Sequence, residues 1–419
     1  MAELETVLLS SLLADDKAIA VGVMYPGEDT PSGVPLIRVA DIVDGRISST
    51  IGYRISDEVN AQYRRTQLAG NEVLMTLVGR PGIAIKVPPE MGGWNVARAL
   101  AVLRLADPEE RDFFVYAVAS PQVQHTIRNW CNTTVQATLN LKEIKALPLP
   151  WPDRKTRRAI AATLGALDDK IELNRKMNAT LEAMARALFR DWFVDFGPTR
   201  AKMAGAAPYL SPDLWSLFPD RLDAEGKPEG WEVSTIGDFI ELLDHKRVPL
   251  SSQERAKRQG PYPYHGATSV MDHIDNYLFD ERLLLLGEDG SVAKGDGRPF
   301  TQYVWGKLWV NNHAHVIKGR DLSVEQLKLF FDQIDIRPFV TGAVQPKLNQ
   351  ANLRRVPYLR ASDTVHSAFD ATIAPLYDLV RQLNEESRTL AQTRDLLLPR
   401  LMSGEVRVAD AVAVAKEMA

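Results

Sequence analysis

The chain has 419 residues, of which 45% are hydrophobic and 25% charged, so it is too long for one ordinary domain and has the composition of a soluble globular protein. Its single cysteine, Cys131, excludes an intrachain disulfide framework and a cysteine-based zinc finger, and it fits the reducing cytoplasm, where we expect the protein to reside. The net charge of −4 argues against a strongly basic nucleic-acid binder, the acidic start MAELETVLLS is unlike a secretory signal, and no apolar run approaches the roughly 18 residues of a membrane span, so we expect no membrane partner.

Residues 1–150 are predicted to form a mixed, strand-rich domain. Alternating apolar residues bounded by turn residues indicate strands, and the strands on either side of GRPG (79–82) should form a hairpin. The predicted strands are VPLIRVADI (34–42), VLMTLV (73–78), IAIKV (83–87) and LAVLRL (100–105), and DFFVYAVAS (112–120) and QVQHTIRNW (122–130) are predicted to be helical.

A long helix is predicted over residues 151–196, after the phrase VQATLN (135–140) and the proline-containing segment that follows it. Apolar residues recur there at alternating spacings of four and three, which is the 3.5-residue seam of a coiled coil. The seam weakens at Asn174 and Asn178. Its predicted helix-contact residues are Ile160, Leu164, Leu167, Ile171, Leu181 and Leu188.

The second half of the chain follows the same plan. Residues 197–230, rich in Pro and Gly, are predicted to be a linker or a loosely packed connection. Residues 231–360 form a second strand-rich domain, with strands at 282–287 and 313–318 and a helix at 324–334. A second long helix follows over 361–404, and residues 405–419 form a tail. The second seam is Phe369, Ile373, Leu376, Val380, Leu383, Leu390 and Leu397.

The phrase VQATLN returns as VQPKLN at 344–349, 209 positions later, and the two seams keep the same offset. Two unrelated amphipathic helices are the alternative, but the shared register and the matched sequence before each helix favour an internal duplication. We therefore predict an α+β protein in which two globular domains are separated by two long helices. The helices should pack as an antiparallel coiled coil, giving a pseudo-two-fold internal repeat.

Catalytic signatures are missing from the sequence. It has no GxxxxGK[ST] phosphate loop and no GxGxxG after a strand. The acidic residues of GEDGSVAKGDG (287–297) could suggest a cation loop, but their spacing departs from that of known calcium loops. His313 and His315 have no evident third ligand, so we predict no metal site.

Loop residues of the two domains are the candidates for contact with a nucleic acid, since exposed polar and basic side chains in loops reach base edges and phosphates. Gln136 and Gln345 can bond adenine or cap a helix, and we favour a structural role for both. The DNA-contact candidates are Arg38, Arg80, Arg98, Arg247, Lys257, Arg258, His265, Thr268, Asn311, Asn312 and Lys347.

Several segments together resemble the specificity subunits of type I restriction–modification enzymes. In the first half these are GVPLIRVADIVDGRIS and AGNEVLMTLVGRPGIAIKV. The segment from LPLPWPDRK to DWFVDF resembles the central conserved helix of that family. In the second half, PYPYHGATSVMDHIDNYLFD, LLLLGEDGS, VNNHAHVI and TGAVQPKLN resemble its second target-recognition domain. The C-terminal helix departs from the central one at Arg394 and Pro399.

The resemblance implies a non-catalytic reader of double-stranded DNA. Each domain would recognise one half of a bipartite target, and the helices would set the spacer between the halves. Two methyltransferase subunits and restriction/translocase subunits would dock on the chain. The resemblance places S-adenosylmethionine, ATP and Mg in those partner subunits, with no cofactor in this chain. A coiled-coil scaffold with two ligand- or peptide-binding domains, or an enzyme with its site in 287–297, remains the alternative.

Overall fold

The computed structural model describes residues 5–43, 45–48, 50–131, 138–342 and 344–411. The chain divides into two compact units, the first made of residues 1–174 and 385–419 and the second of residues 175–384. In the part of the chain that the structure describes, no helix combines the length and the apolar character needed to cross a membrane.

The first unit is built on a four-stranded antiparallel sheet in the order β2 (Ile19–Val21), β10 (Leu100–Leu103), β7 (Val73–Thr76) and β8 (Ala84–Lys86). Beside it lies a smaller sheet in which β3 (Val34–Ile37) pairs antiparallel with β6 (Arg54–Ile55) and parallel with β9 (Asn95–Val96). Its elements are β1 (Thr6–Leu8), β2 (Ile19–Val21), β3 (Val34–Ile37), β4 (Ile42–Val43), β5 (Arg46–Ile47), β6 (Arg54–Ile55), α1 (Asp57–Gln62), β7 (Val73–Thr76), β8 (Ala84–Lys86), β9 (Asn95–Val96), β10 (Leu100–Leu103), α2 (Arg111–Ala119), α3 (Pro121–Cys131), α4 (Leu141–Lys145), β11 (Pro148–Pro150) and the start of α5 (Arg154–Phe193).

Strand β7 is buried along its whole length because both faces of its sheet are covered. Val73 and Met75 pack on one side with Phe114 of α2, whereas Leu74 packs on the other side with Ile37 of β3. Side chains of a strand alternate between faces, so a strand whose sheet is covered on both faces is buried at every position. The predicted hairpin of β7 and β8 is confirmed.

The second unit repeats this topology. One sheet has the order β13 (Ile240–Leu242), β20 (Ala314–Gly319), β17 (Leu283–Gly287) and β18 (Thr301–Val304). In the other, β14 (Gln259–His265) pairs antiparallel with β15 (Val270–Ile274) and parallel with β19 (Lys307–Val310). The unit contains the end of α5, and its other elements are α6 (Gly197–Met203), α7 (Pro212–Ser216), β12 (Glu232–Thr235), β13 (Ile240–Leu242), α8 (Ser252–Lys257), β14 (Gln259–His265), β15 (Val270–Ile274), β16 (Phe279–Asp280), β17 (Leu283–Gly287), β18 (Thr301–Val304), β19 (Lys307–Val310), β20 (Ala314–Gly319), α9 (Val324–Phe331), α10 (Gln350–Arg354), β21 (Pro357–Arg360) and the start of α11 (Asp363–Met402).

The internal duplication is confirmed element by element. Helices α5 and α11 are each 40 residues long, and their starts at 154 and 363 differ by 209. Helices α4 and α10 have the same offset. In front of each lies the end of the repeated phrase, where Leu139 and Leu348 are buried.

The asparagine that closes each phrase is a helix N-cap. The Asn140 side chain accepts a hydrogen bond from the Glu143 N–H at 3.0 Å, and Asn349 accepts one from the Asn352 N–H at 2.8 Å. A side-chain acceptor at this position satisfies a donor that the first helical turn leaves open. The phrase thus ends a loop and starts a short helix in both units.

In the first unit, the beginning of α5 runs antiparallel to the end of α11. Ile160, Leu164 and Leu167 are buried in one cluster with Leu390 and Leu397. The polar interruption of the seam is also paired, because the Asn174 amide donates to Glu386 at 2.7 Å. At Arg394, where the second copy departs from the first, the guanidinium bonds Asp168 at 2.6 Å.

In the second unit, the end of α5 packs against the beginning of α11 through Trp192 and Phe369, whose ring centroids lie 5.2 Å apart. The buried contact residues Phe189 and Tyr377 each lie one position after a predicted seam residue, Leu188 or Leu376. The shift arises because a helix of 3.6 residues per turn drifts from a 3.5-residue pattern. Of the predicted seam residues, those only partly buried are Ile171, Leu181, Leu188 and Leu376, and those buried are Ile160, Leu164, Leu167, Phe369, Ile373, Val380, Leu383, Leu390 and Leu397.

Residues 197–230 differ from a loose connection. They contain α6 and α7, and Phe218 is buried against Trp192 with ring centroids 4.9 Å apart. Two of the prolines that suggested irregular chain, Pro198 and Pro212, lie in the first turns of these helices, where proline lacks only a hydrogen bond that the helix does not make. The segment 34–42 also differs from one strand, because the Arg38 N–H bonds the Asp41 carboxylate at 2.8 Å and turns the chain after Ile37.

Candidate nucleic-acid interface

Four loops of the second unit meet at one end of its sheet. The loop after β14 is tied to the loop after β19 by the Asn311 N–H, which donates to the His265 carbonyl at 3.0 Å. The loop after β17 receives the segment 341–347 through a bond of 3.0 Å from the Gly290 N–H to the Pro346 carbonyl. The Glu288 N–H donates to the His313 carbonyl at 2.9 Å and links the two pairs of loops. A single surface therefore brings together His265 and Pro346, which are 81 positions apart in sequence.

A buried charge network supports this surface from below. His315, fully buried, has Nδ1 2.6 Å from the Asp244 carboxylate and Nε2 2.7 Å from the Leu348 carbonyl. Arg247 lies 2.7 Å from Glu288 and donates to the Ala314 carbonyl at 2.6 Å. The network joins β20 to the repeated phrase and to the loop after β17.

Burial alone would raise the pKa of the Asp244 carboxyl. The hydrogen bond and charge of His315, the N–H of Val316 and the nearby Arg247 outweigh burial and hold that pKa below its ordinary value. Asp244, Glu288 and His315 offer ligand atoms within 4.8 Å of one another. The Arg247 guanidinium already occupies this cluster and supplies positive charge to its carboxylates, so we assign no metal there.

The sequence around these loops matches a known family model, that of the type I restriction modification DNA specificity domain, over residues 228–357. Residues 228–357 belong to this family. The match covers every loop of the surface described above, and it confirms the family resemblance of the second half.

Relatives extend the likeness beyond that specificity domain. Over 280 residues the chain is 25% identical to the type I restriction enzyme MjaIX specificity subunit of Methanocaldococcus jannaschii, covering 63% of this chain and 62% of that protein. Over 193 residues it is 31% identical to the type I restriction enzyme EcoBI specificity subunit of Escherichia coli, covering 43% of this chain and 40% of that protein. The chain thus spans less than two thirds of the length of either relative. The crystal structure of the type I restriction-modification system S subunit from M. genitalium aligns over 95% of each chain, with 18% identity and a TM-score of 0.49.

Three of the predicted contact residues of the specificity domain have side chains that are largely buried. Arg247 has a side chain only 12% exposed and is bonded to Glu288, so it braces the loop instead of presenting its charge. His265 is buried and bonds Gln302 at 3.0 Å, and burial lowers the pKa of its imidazole. Asn311 is buried as well, and its side chain accepts from the His313 N–H at 2.8 Å. These contacts brace the loops, and direct contact of the three residues with DNA stays a prediction.

Other predicted residues of the specificity domain are exposed. Thr268 and Asn312 lie on the loops that meet at the surface, and Lys347 lies in the phrase segment, 3.4 Å from Glu288. Lys257 is exposed at the end of α8. Arg258 is half-buried, paired with Asp275 at 2.9 Å and stacked over Trp309, so much of its charge is already used.

Two further residues of this surface were not predicted as contacts. Val344, 99% exposed, stands beside the exposed Gln345 in the phrase segment. His313 was considered only as a metal ligand, but its exposed ring bonds Asp289 at 2.5 Å beside Asn312. The signal available in the sequence was position, since each lies next to a polar residue in a loop.

The first unit presents an equivalent loop end. Thr138 forms a bridge with Val78, at the position of Lys347 with Asp289 in the second unit. Arg80 and Arg98 are exposed on the neighbouring loops. Arg38 is 3.4 Å from Asp41 and lies over the ring of Tyr53. Gln136 lies outside the described residues.

Proposed function

We propose that this chain is the DNA-reading subunit of a type I restriction–modification assembly. The observation that carries the proposal is the family match over residues 228–357, because that segment contains the whole loop surface of the second unit. The repetition of strand order and of the 209-residue offset supports an equivalent reading role for the first unit. Two readers correspond to a target with two halves.

The proposed reading chemistry is hydrogen bonding to base edges. Asn312 carries an amide that can bond adenine at two positions, and Thr268 carries a hydroxyl that serves as donor or acceptor. The buried network of His315, Asp244 and Arg247 holds the loops beneath them. Rigid support favours base discrimination because a loosely held amide would lose conformational entropy on binding.

The chemistry of the assembly belongs, in this proposal, to other chains. Two methyltransferase subunits would bring S-adenosylmethionine, and restriction/translocase subunits would bring ATP and Mg. The chain itself would be non-catalytic and would choose which adenine is presented for methylation. No step of the reaction is assigned to its residues.

The proposal is tested by exchanging one reader. The complete chain is co-expressed with its methyltransferase subunit, and methylated adenines are mapped across the genome. Replacing residues 5–150 by the matching region of another specificity subunit should change one half of the methylated target and leave the other half intact. An exchange of the equivalent second body, residues 231–360, is the matched control and should change only the opposite half. A change in both halves after either exchange contradicts independent reading.

A further inference from the structure

The first unit contains a groove of about 730 Å³ that lies outside the loop end carrying Arg80 and Arg98. One wall is the edge strand β2, with Asp16 just before it. The opposite walls are residues 61–66 and helix α4. Every lining residue belongs to the first unit.

Positive charge is concentrated in this groove. Residues 1–150 carry 14 basic and 17 acidic side chains, so this part of the chain is acidic as a whole. Yet Arg64, Arg65, Lys142 and Lys145 line the groove against a single carboxylate, that of Asp16. Four cations against one carboxylate contrast with the acidic balance of residues 1–150 as a whole.

The four cationic side chains form no ion pairs with carboxylates among the described residues. Arg65 donates to the carbonyls of Lys17 and Ile19 at 3.0 and 3.4 Å, and Lys145 donates to the Asp16 carbonyl at 3.0 Å. These neutral acceptors orient the side chains and leave their charge uncompensated. Among the described residues, no carboxylate lies within 4.0 Å of the charged nitrogens of these four side chains.

The wall formed by β2 adds neutral donors. The Gly22 N–H donates to the Leu100 carbonyl, and the Arg104 N–H donates to the Ala18 carbonyl. The even-numbered residues in and around β2 therefore form the hydrogen bonds to β10. In an antiparallel pair the intervening residues turn their N–H and C=O groups away from the partner strand. Ile19 and Val21 therefore direct backbone groups toward the groove, and protein–DNA contacts to phosphate use backbone N–H groups together with Arg and Lys.

We propose that this groove binds the phosphodiester backbone of the DNA duplex beside the half-target read by the first unit. The inference rests on the proposed function and extends it to a defined set of phosphate-binding residues. Helix α4 follows directly from Thr138, which is bridged to Val78 next to the turn that carries Arg80. One duplex lying along the unit can thus contact the loop end with its bases and the groove with its phosphates.

The test uses the complete chain in complex with its methyltransferase subunit. The double variant Arg64→Ala/Lys142→Ala removes the two groove cations that form no hydrogen bond to the protein among the described residues, and Arg128→Ala/Lys155→Ala, exposed basic residues of the same unit outside the groove, is the matched control. Binding of the mapped target duplex and of a shuffled duplex is measured by fluorescence anisotropy between 50 and 200 mM salt.

Two phosphate contacts contribute about 1.8 to the slope of log affinity against log salt. Between 50 and 200 mM salt, the fold-loss of affinity in the groove variant should therefore be about 12 times smaller than in the wild type. The variant should bind the target and the shuffled duplex more weakly to the same extent, and the methylated sequence should stay unchanged. The control should keep the wild-type slope.

A wild-type slope in the groove variant overturns the groove proposal and leaves the proposed function standing. If the wild-type complex does not distinguish the target from the shuffled duplex, the proposed function itself fails. An acidic protein segment is the other occupant to exclude. Binding of a polyglutamate peptide that is lost in the groove variant, while the DNA slope stays unchanged, would assign the groove to such a segment.

Discussion

The buried histidine of α11 makes the second unit sensitive to acid. His366 is 5% exposed and stacks on Phe193 at 5.3 Å. Its Nδ1 faces the Gln326 side-chain oxygen at 2.9 Å, and its Nε2 accepts from the Ala361 N–H at 3.2 Å. The Nδ1–H donates to this oxygen, and the contact at Nε2 requires the neutral ring because a protonated Nε2 cannot accept a hydrogen bond. Burial, helped by Arg360 and opposed by Asp363, lowers the pKa of His366 to about 4.

The sign of the effect follows from the two pKa values. In the unfolded chain the histidine has a pKa of about 6.5. Between that pH and about pH 4, the unfolded state therefore binds a proton that the folded state does not bind. The contribution of neutral His366 to the free energy of unfolding is fully present above about pH 6.5 and is lost as the pH falls. From these values the free energy of unfolding decreases by about 2 kcal/mol between pH 8 and pH 5, and by about 3 kcal/mol at pH 4.

The assay is urea unfolding at pH 8 and pH 5, followed by tryptophan fluorescence, since Trp192 and Trp231 lie in the same core cluster as Phe193. The variant His366→Gln cannot titrate and serves as the comparison, because the carboxylates of both proteins change together. The wild type should lose about 2 kcal/mol more than the variant over this range. Equal losses in the two proteins would refute the reasoning.

Three further outcomes are expected. Asn349→Ala removes an N-cap and should lower the free energy of unfolding by about 1 kcal/mol in the same urea assay, whereas restoring an acceptor with Asn349→Asp should recover most of it. Arg394→Met leaves the partly buried Asp168 without its cation and should cost about 1 to 3 kcal/mol, while the exposed Arg388→Met should cost under about 0.5 kcal/mol. Asn312→Ala should relax one position in one half of the methylated target, with a loss of about 1 to 3 kcal/mol in discrimination measured by competition binding, and an unchanged methylated sequence would remove Asn312 from the reading set.

Local signals predicted the repeated architecture well. The two long helices were visible because their apolar seam depends only on residues three and four apart. The phrase pair drew attention to the duplication, and the structure explains its conserved ending: Leu139 and Leu348 enter the cores, and Asn140 and Asn349 cap the following helices. Capping is a contact over three residues, which a sequence pattern can carry.

The contact candidates were harder to predict because exposure is decided by distant partners. Arg247 was expected at a DNA surface, but Glu288, 41 positions away, binds its guanidinium. His265 is held by Gln302, 37 positions away. Nothing in the local sequence of either residue distinguishes a loop side chain that faces solvent from one that braces the loop.

The sequence by itself determined the duplicated order of strands, short helix, phrase and long helix, because propensity, periodicity and capping act within a few residues. Tertiary structure decided which of the polar loop side chains are exposed and which are buried or paired. It also decided that Arg64 and Lys142, which are 78 positions apart, line one groove. The physical reason is that sheet pairing brings separated loops together, and burial and charge compensation depend on those long-range neighbours.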